Sequence, residues 1–126
     1  MTERSYVVCK LEDLIQDAGV AVRAGDCQVA VFLTDAGVYA IDNLDPFSGA
    51  AVLARGIVGD IKGTLVVASP MYKQHFCLKT GRCLEDDTRS LRSWPVDVLP
   101  NGNVCLSSPA NAQTNLDREH QYETRR

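Results

Sequence analysis

Apolar residues in this chain recur mostly at every second position or in short solid runs, which is the spacing of β-strands. In the third such run, Val29, Val31 and Leu33 fall on one face, and Ala30 and Phe32 fall on the other. Strands are predicted at 5–9, 19–24, 28–34, 38–42, 57–61, 64–69, 74–79, 82–85, 93–99 and 103–106, with short helical turns at 11–15 and 50–56. This pattern predicts an all-β domain, an antiparallel β-sandwich of small sheets.

Turn residues between the runs indicate which strands pair. Asn101-Gly102 is the strongest hairpin signal in the chain, and Thr80-Gly81 predicts another hairpin between the runs on either side of it. Pro95 has no amide hydrogen to donate to a neighbouring strand. We therefore expect the strand that contains Pro95 to lie at a sheet edge or to bulge there.

The length of 126 residues and a change of composition near the C-terminus predict one domain followed by a tail. Residues 1–107 contain the strand pattern and are expected to form the domain. Residues 108–126 contain one large aliphatic residue, Leu116, among mostly polar and charged ones. Such a segment buries too little apolar surface to offset its ordering entropy, so we predict a disordered tail. The alternative is a polar helix that folds on a partner.

Charge and hydropathy exclude several classes of function. The formal net charge is −3 and no cluster of lysine and arginine stands out, so no nucleic-acid partner is expected. No apolar run approaches the ~20 residues of a membrane helix. The polar N-terminal residues lead directly into a predicted strand, without the apolar segment of a secretory signal. These features favour a cytoplasmic protein that does not contact a membrane.

The cysteine spacing gives no strong metal-binding signal. The five cysteines lack a Cys-x-x-Cys pair and lie in apolar or alternating runs, which predicts buried, reduced thiols. They are Cys9, Cys27, Cys77, Cys83 and Cys105. The alternative is a metal site built from His75, Cys77 and Cys83, but three ligands fall short of the four in a structural zinc site.

Two short loops carry the most informative pattern in the sequence. The first reads Asp45-Pro46-Phe47-Ser48-Gly49 and the second reads Ser69-Pro70-Met71-Tyr72, and each follows a predicted strand. With Cys at 45 and 69 and His at 47 and 72, they would resemble the Cys-Pro-His … Cys-Pro-x-His pattern of Rieske proteins. Those proteins hold a 2Fe–2S cluster through two thiolates and two imidazoles. The four positions here are Asp45, Phe47, Ser69 and Tyr72.

These four side chains are poor substitutes for thiolate and imidazole ligands. Phe47 has no lone pair, and Ser69 and Tyr72 offer hydroxyl groups, which are weak ligands for cluster iron. Asp45 alone could bind a hard cation, but a single carboxylate is a weak site. We therefore predict that this chain binds no cluster, metal or other cofactor and carries no electrons.

The rest of the chain extends the resemblance. From about Gly19 to Leu106 the order of elements resembles the Rieske (iron–sulfur protein) domain, and Phe76-Cys77-Leu78-Lys79-Thr80-Gly81 matches the Phe-x-Leu-x-Thr-Gly common after the second cluster loop. The closer resemblance is to the small subunit of assimilatory NAD(P)H-dependent nitrite reductase, a Rieske-like domain without cluster ligands. It is carried by the runs Asn43-Leu44-Asp45-Pro46-Phe47, Val52-Leu53-Ala54-Arg55-Gly56 and Ala68-Ser69-Pro70.

This resemblance implies an accessory, non-catalytic subunit. Its partner would be the nitrite reductase large subunit, which carries FAD, sirohaem and an iron–sulfur cluster and uses NAD(P)H to reduce nitrite to ammonium. The sequence offers no nucleotide-binding glycine motif and no obvious nucleophile–base pair, so we assign this chain no catalytic residue.

Two interpretations of the loops remain open at this stage. They could persist only as scaffold, with Phe47 filling the space of a cluster and Asp45 accepting amide hydrogen bonds. They could instead form a docking face to which Phe47, Met71 and Tyr72 supply apolar and aromatic contacts. The alternatives for the whole chain are a Rieske-type ferredoxin of an oxygenase and a cofactor-free β-domain that binds another protein.

Overall fold

The computed structural model describes residues 4–109, apart from the side chain of Asp87, and within that range it contains ten β-strands and three 3₁₀ turns. The strands are β1 (Ser5–Lys10), β2 (Gly19–Ala24), β3 (Cys27–Thr34), β4 (Gly37–Asp42), β5 (Ile57–Ile61), β6 (Thr64–Ala68), β7 (His75–Cys77), β8 (Ser93–Trp94), β9 (Val96–Val98) and β10 (Asn103–Ser107). The 3₁₀ turns are Leu11–Asp13, Leu53–Arg55 and Asp87–Arg89. The prediction of an all-β fold with short helical turns is confirmed.

The strands form three small antiparallel sheets. Their orders are β1-β10-β9, β2-β3-β4-β8 and β5-β6-β7. The first and last long strands therefore pair with each other, while β5, β6 and β7 form a local meander. Within the described residues, every helix is a three-residue 3₁₀ turn, and none is long and apolar enough to cross a membrane.

β3 lies between two hydrophobic cores, and its residues divide between them according to the two faces that the sequence predicts. Ala30 and Phe32 pack into one core with residues of β6 and β7, while Val29 and Val31 pack into the other with residues of β8 and β10. All four side chains are fully buried. Burying one large apolar side chain contributes about 1.5–3 kcal/mol, so this two-sided strand is a central part of the sandwich.

The strand predicted at 93–99 divides at Pro95. Ser93–Trp94 pairs with β4, whereas Val96–Val98 pairs with β10 in a different sheet. Proline cannot donate to a ladder, and its carbonyl instead accepts from the amide of Ser107 at 3.0 Å. The single strand predicted at 93–99 is therefore wrong, while the irregularity expected at Pro95 is confirmed.

The two predicted hairpins have different outcomes. Asn101-Gly102 does join two paired strands, because β9 and β10 form a ladder on either side of it. Around Thr80-Gly81 the predicted ladder shrinks to β7 and a single bridge between Phe76 and Cys83. The Gly81 amide donates to the Cys77 carbonyl at 2.7 Å, which closes a turn in place of a longer strand.

The predicted disordered tail at 108–126 lies largely outside the described residues. Ser108 and Pro109 are described, and the Ser108 amide donates to the Arg4 carbonyl at 3.1 Å. This contact continues the β1–β10 pairing by one hydrogen bond. The prediction for the rest of the tail stays a prediction.

Candidate functional site

The first loop of interest, loop 1 (45–50), follows the end of β4. The Asp45 amide donates to the Ala50 carbonyl at 2.8 Å, and the Gly49 amide donates to the Asp45 carbonyl at 2.8 Å. Gly49 has φ of 76°, a left-handed conformation that glycine adopts without steric cost. Asp45, the first residue of the loop, thus closes the loop through both its amide and its carbonyl. Pro46 occupies the second position.

The second loop, loop 2 (69–74), follows β6 and repeats the same backbone pattern. The Ser69 amide donates to the Gln74 carbonyl at 2.9 Å, and the Lys73 amide donates to the Ser69 carbonyl at 3.1 Å. Lys73 has φ of 69° at the position equivalent to the glycine of loop 1. Pro70 again occupies the second position. Two segments with different side chains therefore have one backbone hydrogen-bond arrangement.

The first side chains of the two loops meet. Asp45 and Ser69 are both buried, and the Ser69 hydroxyl donates a hydrogen bond to Asp45 Oδ2. Asp45 Oδ1 accepts from the amides of Phe47 at 2.8 Å and Ser48 at 3.4 Å. Ser69 Oγ accepts from the Met71 amide at 3.2 Å. Asp45 thus makes the amide hydrogen bonds expected of an aspartate in a turn, and it also links the two loops.

Phe47 is half-buried at the edge of a core. Its ring lies 6.3 Å from that of Phe76, centroid to centroid, and it packs against the core that contains Ala30 and Phe32. The Arg89 guanidinium lies 5.3 Å from the Phe47 ring centroid, and Arg89 Nη1 donates to the Pro46 carbonyl at 3.1 Å. Phe47 therefore has a clear packing role, which the scaffold interpretation anticipated.

Met71 and Tyr72, by contrast, are largely exposed. Their exposed fractions are 48% and 58%, and Leu44, just before loop 1, is 52% exposed. The Asp45–Ser69 hydrogen bond joins the two loops, so these residues and Phe47 all lie in or directly beside two connected loops. We call Leu44, Phe47, Met71 and Tyr72 the apolar tip. Leu44 was not predicted from the sequence, although an apolar residue directly before a turn was a usable signal.

The side chains of His75 and Glu85 pair beside loop 2. His75 Nδ1 lies 2.6 Å from Glu85 Oε2, the His75 amide donates to Glu85 Oε1 at 2.8 Å, and the Cys83 thiol lies 3.7 Å from Oε1. Partial burial alone would raise the pKa of Glu85, but the His75 contacts outweigh it and lower that pKa. Burial raises the pKa of the Cys83 thiol.

The alternative metal site at His75, Cys77 and Cys83 finds no support in this geometry. Across the described part of the chain, no group of three or more His, Cys, Asp or Glu residues lies close enough together to hold a metal ion. The five cysteines are all free thiols, three of them buried and two partly buried. The Cys83 thiol is directed to a carboxylate and not to a second thiol.

The four side chains at the positions of Rieske ligands do not fit a 2Fe–2S cluster. Such a cluster needs two thiolates on one iron and two imidazoles on the other. Here Asp45 and Ser69 hydrogen-bond to each other, Phe47 packs on a neighbouring aromatic ring, and Tyr72 offers an exposed phenol. Neither the donor atoms nor their existing contacts suit cluster iron.

Comparisons with known proteins place this fold in a family. A family model described as Rieske-like [2Fe-2S] domain matches residues 5–107. The nitrite reductase (NADH) small subunit of Escherichia coli strain K12 is 41% identical over 93 residues, which are 72% of this chain and 86% of that protein. The chain belongs to the nitrite reductase small-subunit family, a group of Rieske-like domains.

Solved structures agree with membership of the small-subunit family. A candidate NADH-dependent nitrite reductase small subunit from Mycobacterium tuberculosis superposes with a TM-score of 0.81 and 43% identity, covering 86% of this chain and 97% of that one. A ferredoxin from Sphingomonas yanoikuyae B1 has a TM-score of 0.68 at 24% identity, covering 84% of this chain and 100% of that one. The ferredoxin likeness shows the shared fold alone.

One relative contains the domain within a longer chain. The nitrite reductase NAD(P)H large subunit of Klebsiella oxytoca is 44% identical over 101 residues, which are 80% of this chain. This chain spans 10% of that protein's length. The small-subunit domain thus has a homologous counterpart inside a large-subunit polypeptide.

Proposed function

We propose that this chain is a non-catalytic accessory subunit that binds the large subunit of an NAD(P)H-dependent nitrite reductase. The observation that carries the proposal is the Klebsiella relative, in which a homologous domain is part of a large-subunit chain. A domain that is covalently attached in one protein and separate in another commonly associates with the same partner in both. The high coverage of the E. coli small subunit supports the same assignment.

The surface proposed to meet the large subunit is the apolar tip. Exposed apolar side chains that lie together commonly mark interaction sites, and interfaces are enriched in Met and aromatic residues. Met71 and Tyr72 are exposed in the isolated chain, so they can be covered by a partner without disturbing the core. Phe47 also belongs to the apolar tip, but its contact with Phe76 gives it a second, structural role.

The chain itself is proposed to hold no cluster and to carry no electrons. This part of the proposal rests on the donor chemistry at Asp45, Phe47, Ser69 and Tyr72, which does not match the thiolates and imidazoles of a Rieske centre. The FAD, sirohaem, iron–sulfur cluster and NAD(P)H needed to reduce nitrite to ammonium are expected on the large subunit. We also propose a cytoplasmic location, for which the five free thiols are the support.

The docking proposal is tested by co-expressing this chain with the large subunit of its own organism. Met71→Ser/Tyr72→Ser is expected to reduce the yield of co-purified large subunit at least fivefold, with unchanged folding by circular dichroism. Val7→Ser is the matched control, because Val7 is 64% exposed but lies on β1 in another sheet. Equal recovery with wild type and the double variant would refute the tip as the docking surface.

A second experiment separates this function from that of a Rieske-type ferredoxin. The chain is treated with ferrous iron and sulfide under reducing conditions, with a known Rieske ferredoxin treated in parallel. We expect the ferredoxin to gain visible absorption and a reduced-state paramagnetic signal, and this chain to gain neither. A stoichiometric signal from this chain would refute the cluster-free proposal and favour the ferredoxin.

An NAD(P)H-linked nitrite assay with and without this chain then measures its effect on turnover.

A further inference from the structure

We propose that the Asp45–Ser69 hydrogen bond is a cross-link that positions the apolar tip by fixing loop 1 against loop 2. The inference deepens the proposed function and rests on it in one respect, namely that the tip meets the large subunit. Asp45 and Ser69 are positioning residues, because both are buried and neither reaches the surface that a partner would touch.

A continuous path of hydrogen bonds connects loop 1 to loop 2. The Phe47 amide donates to Asp45 Oδ1, the Ser69 hydroxyl donates to Asp45 Oδ2, and the Met71 amide donates to Ser69 Oγ. Three consecutive hydrogen bonds therefore connect the backbone of one tip residue to the backbone of another in a different loop. A change at the central bond reaches both Phe47 and Met71.

Because Asp45 and Ser69 are buried, each side chain depends on the other for its hydrogen bond. Asp45 is 0% exposed and Ser69 is 1% exposed, so water does not replace a missing partner for either side chain. An unpaired buried polar group destabilises the folded state, and an unpaired buried carboxylate does so more strongly. The loops are consequently held at the separation that satisfies this pair. The two loops share the same pattern of backbone hydrogen bonds, and the first side chain of each loop meets that of the other.

The Asp45–Ser69 bond occupies the two positions that hold thiolate ligands in the Rieske pattern. In that pattern the residues at positions 45 and 69 are the two thiolates that bind the same iron, so the iron joins the loops. Here the same two positions are joined by a carboxylate and a hydroxyl. The connection between the loops is retained with different chemistry, and it needs no metal.

Amide hydrogen exchange in Ser69→Ala tests the cross-link in the full chain. We expect the Phe47 and Met71 amides to exchange at least about tenfold faster, which corresponds to ~1.4 kcal/mol, while the Val31 amide in the central sheet keeps its protection. The Phe47 amide is the decisive probe, because a merely local role for Ser69 would change the Met71 amide alone. An unchanged Phe47 amide would overturn the proposal.

The double variant Asp45→Ser/Ser69→Asp, in which the two residues trade places, tests whether the hydrogen bond can be restored. It is called the exchanged pair. Because the two loops have matching backbones, the carboxylate in loop 2 is expected to accept from the serine in loop 1 and to restore the protection of both amides to within about threefold. A double variant that fails to fold, or that exchanges like Ser69→Ala, counts against the proposal. The double variant also decides whether the cross-link exists if Ser69→Ala alone proves unstable.

Affinity for the cofactor-loaded large subunit tests the positioning role. Ser69→Ala is expected to weaken binding about tenfold, and the exchanged pair is expected to bind within about threefold of wild type. Faster exchange with unchanged affinity would overturn the positioning role. If wild type itself does not bind the large subunit, the proposed function fails, while the exchange data still decide whether the cross-link exists.

Discussion

The indole nitrogen of Trp94 donates a hydrogen bond to Asp42 Oδ1 at 2.9 Å, which ties the two-residue strand β8 to the end of β4. The second oxygen, Asp42 Oδ2, accepts from Arg92 Nε at 2.9 Å and from the Arg92 amide at 3.2 Å. Burial alone would lower the pKa of Arg92, but the hydrogen bond and charge of Asp42 outweigh burial and raise it. One carboxylate thus holds the segment that crosses from sheet to sheet at Pro95.

Asp42→Ala is expected to destabilise the domain by about 2–4 kcal/mol, because it leaves the indole of Trp94 and the partly buried guanidinium of Arg92 without their acceptor. Asp97→Ala is the matched control, since that aspartate is exposed on β9, and it is expected to change stability by less than about 0.5 kcal/mol. Urea denaturation of the two variants measures the difference. Similar midpoints would show that Asp42 does not secure this segment.

Gly81 and Gly63 both have left-handed φ angles, of 81° and 87°, but they differ in the space around them. A Cβ on Gly81 would lie 2.1 Å from the Leu91 carbonyl oxygen, whereas a Cβ on Gly63 would meet nothing within 4 Å. We expect Gly63→Ala to cost about 1 kcal/mol from backbone strain alone and Gly81→Ala to cost at least about 3 kcal/mol. Thermal unfolding compares them, and equal losses would contradict the close approach.

The periodicity of apolar residues was sufficient to predict most of the fold. The alternation in β3 predicted which residues share a face, and Asn101-Gly102 predicted the hairpin between β9 and β10, because both signals are local. Pro95 indicated an irregular strand, but its division between two sheets depends on contacts with β4 and β10. These contacts are set by tertiary packing, which a period of two does not encode.

The candidate site, like the fold, was predictable only where the signal was local in sequence. The loop sequences were enough to predict that Asp45 accepts amide hydrogen bonds, because an aspartate before a turn does so locally. The bond between Asp45 and Ser69 joins residues 24 positions apart in sequence, and the contact of Arg89 with Phe47 spans an even wider gap. Neither is visible in a turn motif, since each arises only when separate sheets pack together.

Acid is expected to weaken the pairing of Glu85 with His75. The pKa of Glu85 is lowered in the folded chain below its ordinary value of about 4.5, so its contribution to stability is present above about pH 4.5 and is lost as pH falls through the lower, folded-state value. The side chain is 48% exposed, which limits the effect to the few tenths of a kcal/mol typical of exposed pairs.

Glu85→Gln should therefore destabilise the chain slightly at pH 7 and by less at pH 3.5, where part of the contribution of the ionised carboxylate is already lost. Urea denaturation at both pH values measures this, with Glu12→Gln in the first 3₁₀ turn as the control. A stability difference between wild type and Glu85→Gln that grows at low pH would contradict the assignment.

Phe47 and Tyr72 occupy equivalent places in the docking proposal but different places in the fold. Phe47 packs against Phe76 and under Arg89, whereas Tyr72 is 58% exposed. We expect Phe47→Ala to destabilise the chain by about 1–3 kcal/mol, less than for a fully buried phenylalanine, and Tyr72→Ala to change stability by less than about 0.5 kcal/mol.

Differential scanning calorimetry of both variants and of Phe47→Leu, which retains most of the buried volume, separates these roles. Phe47→Leu should recover more than half of the stability lost in Phe47→Ala, because the loss arises from packing. If Tyr72→Ala proves as destabilising as Phe47→Ala, then Tyr72 is also part of the scaffold. A binding defect in the Tyr72 variant could then no longer be ascribed to lost contact with the large subunit.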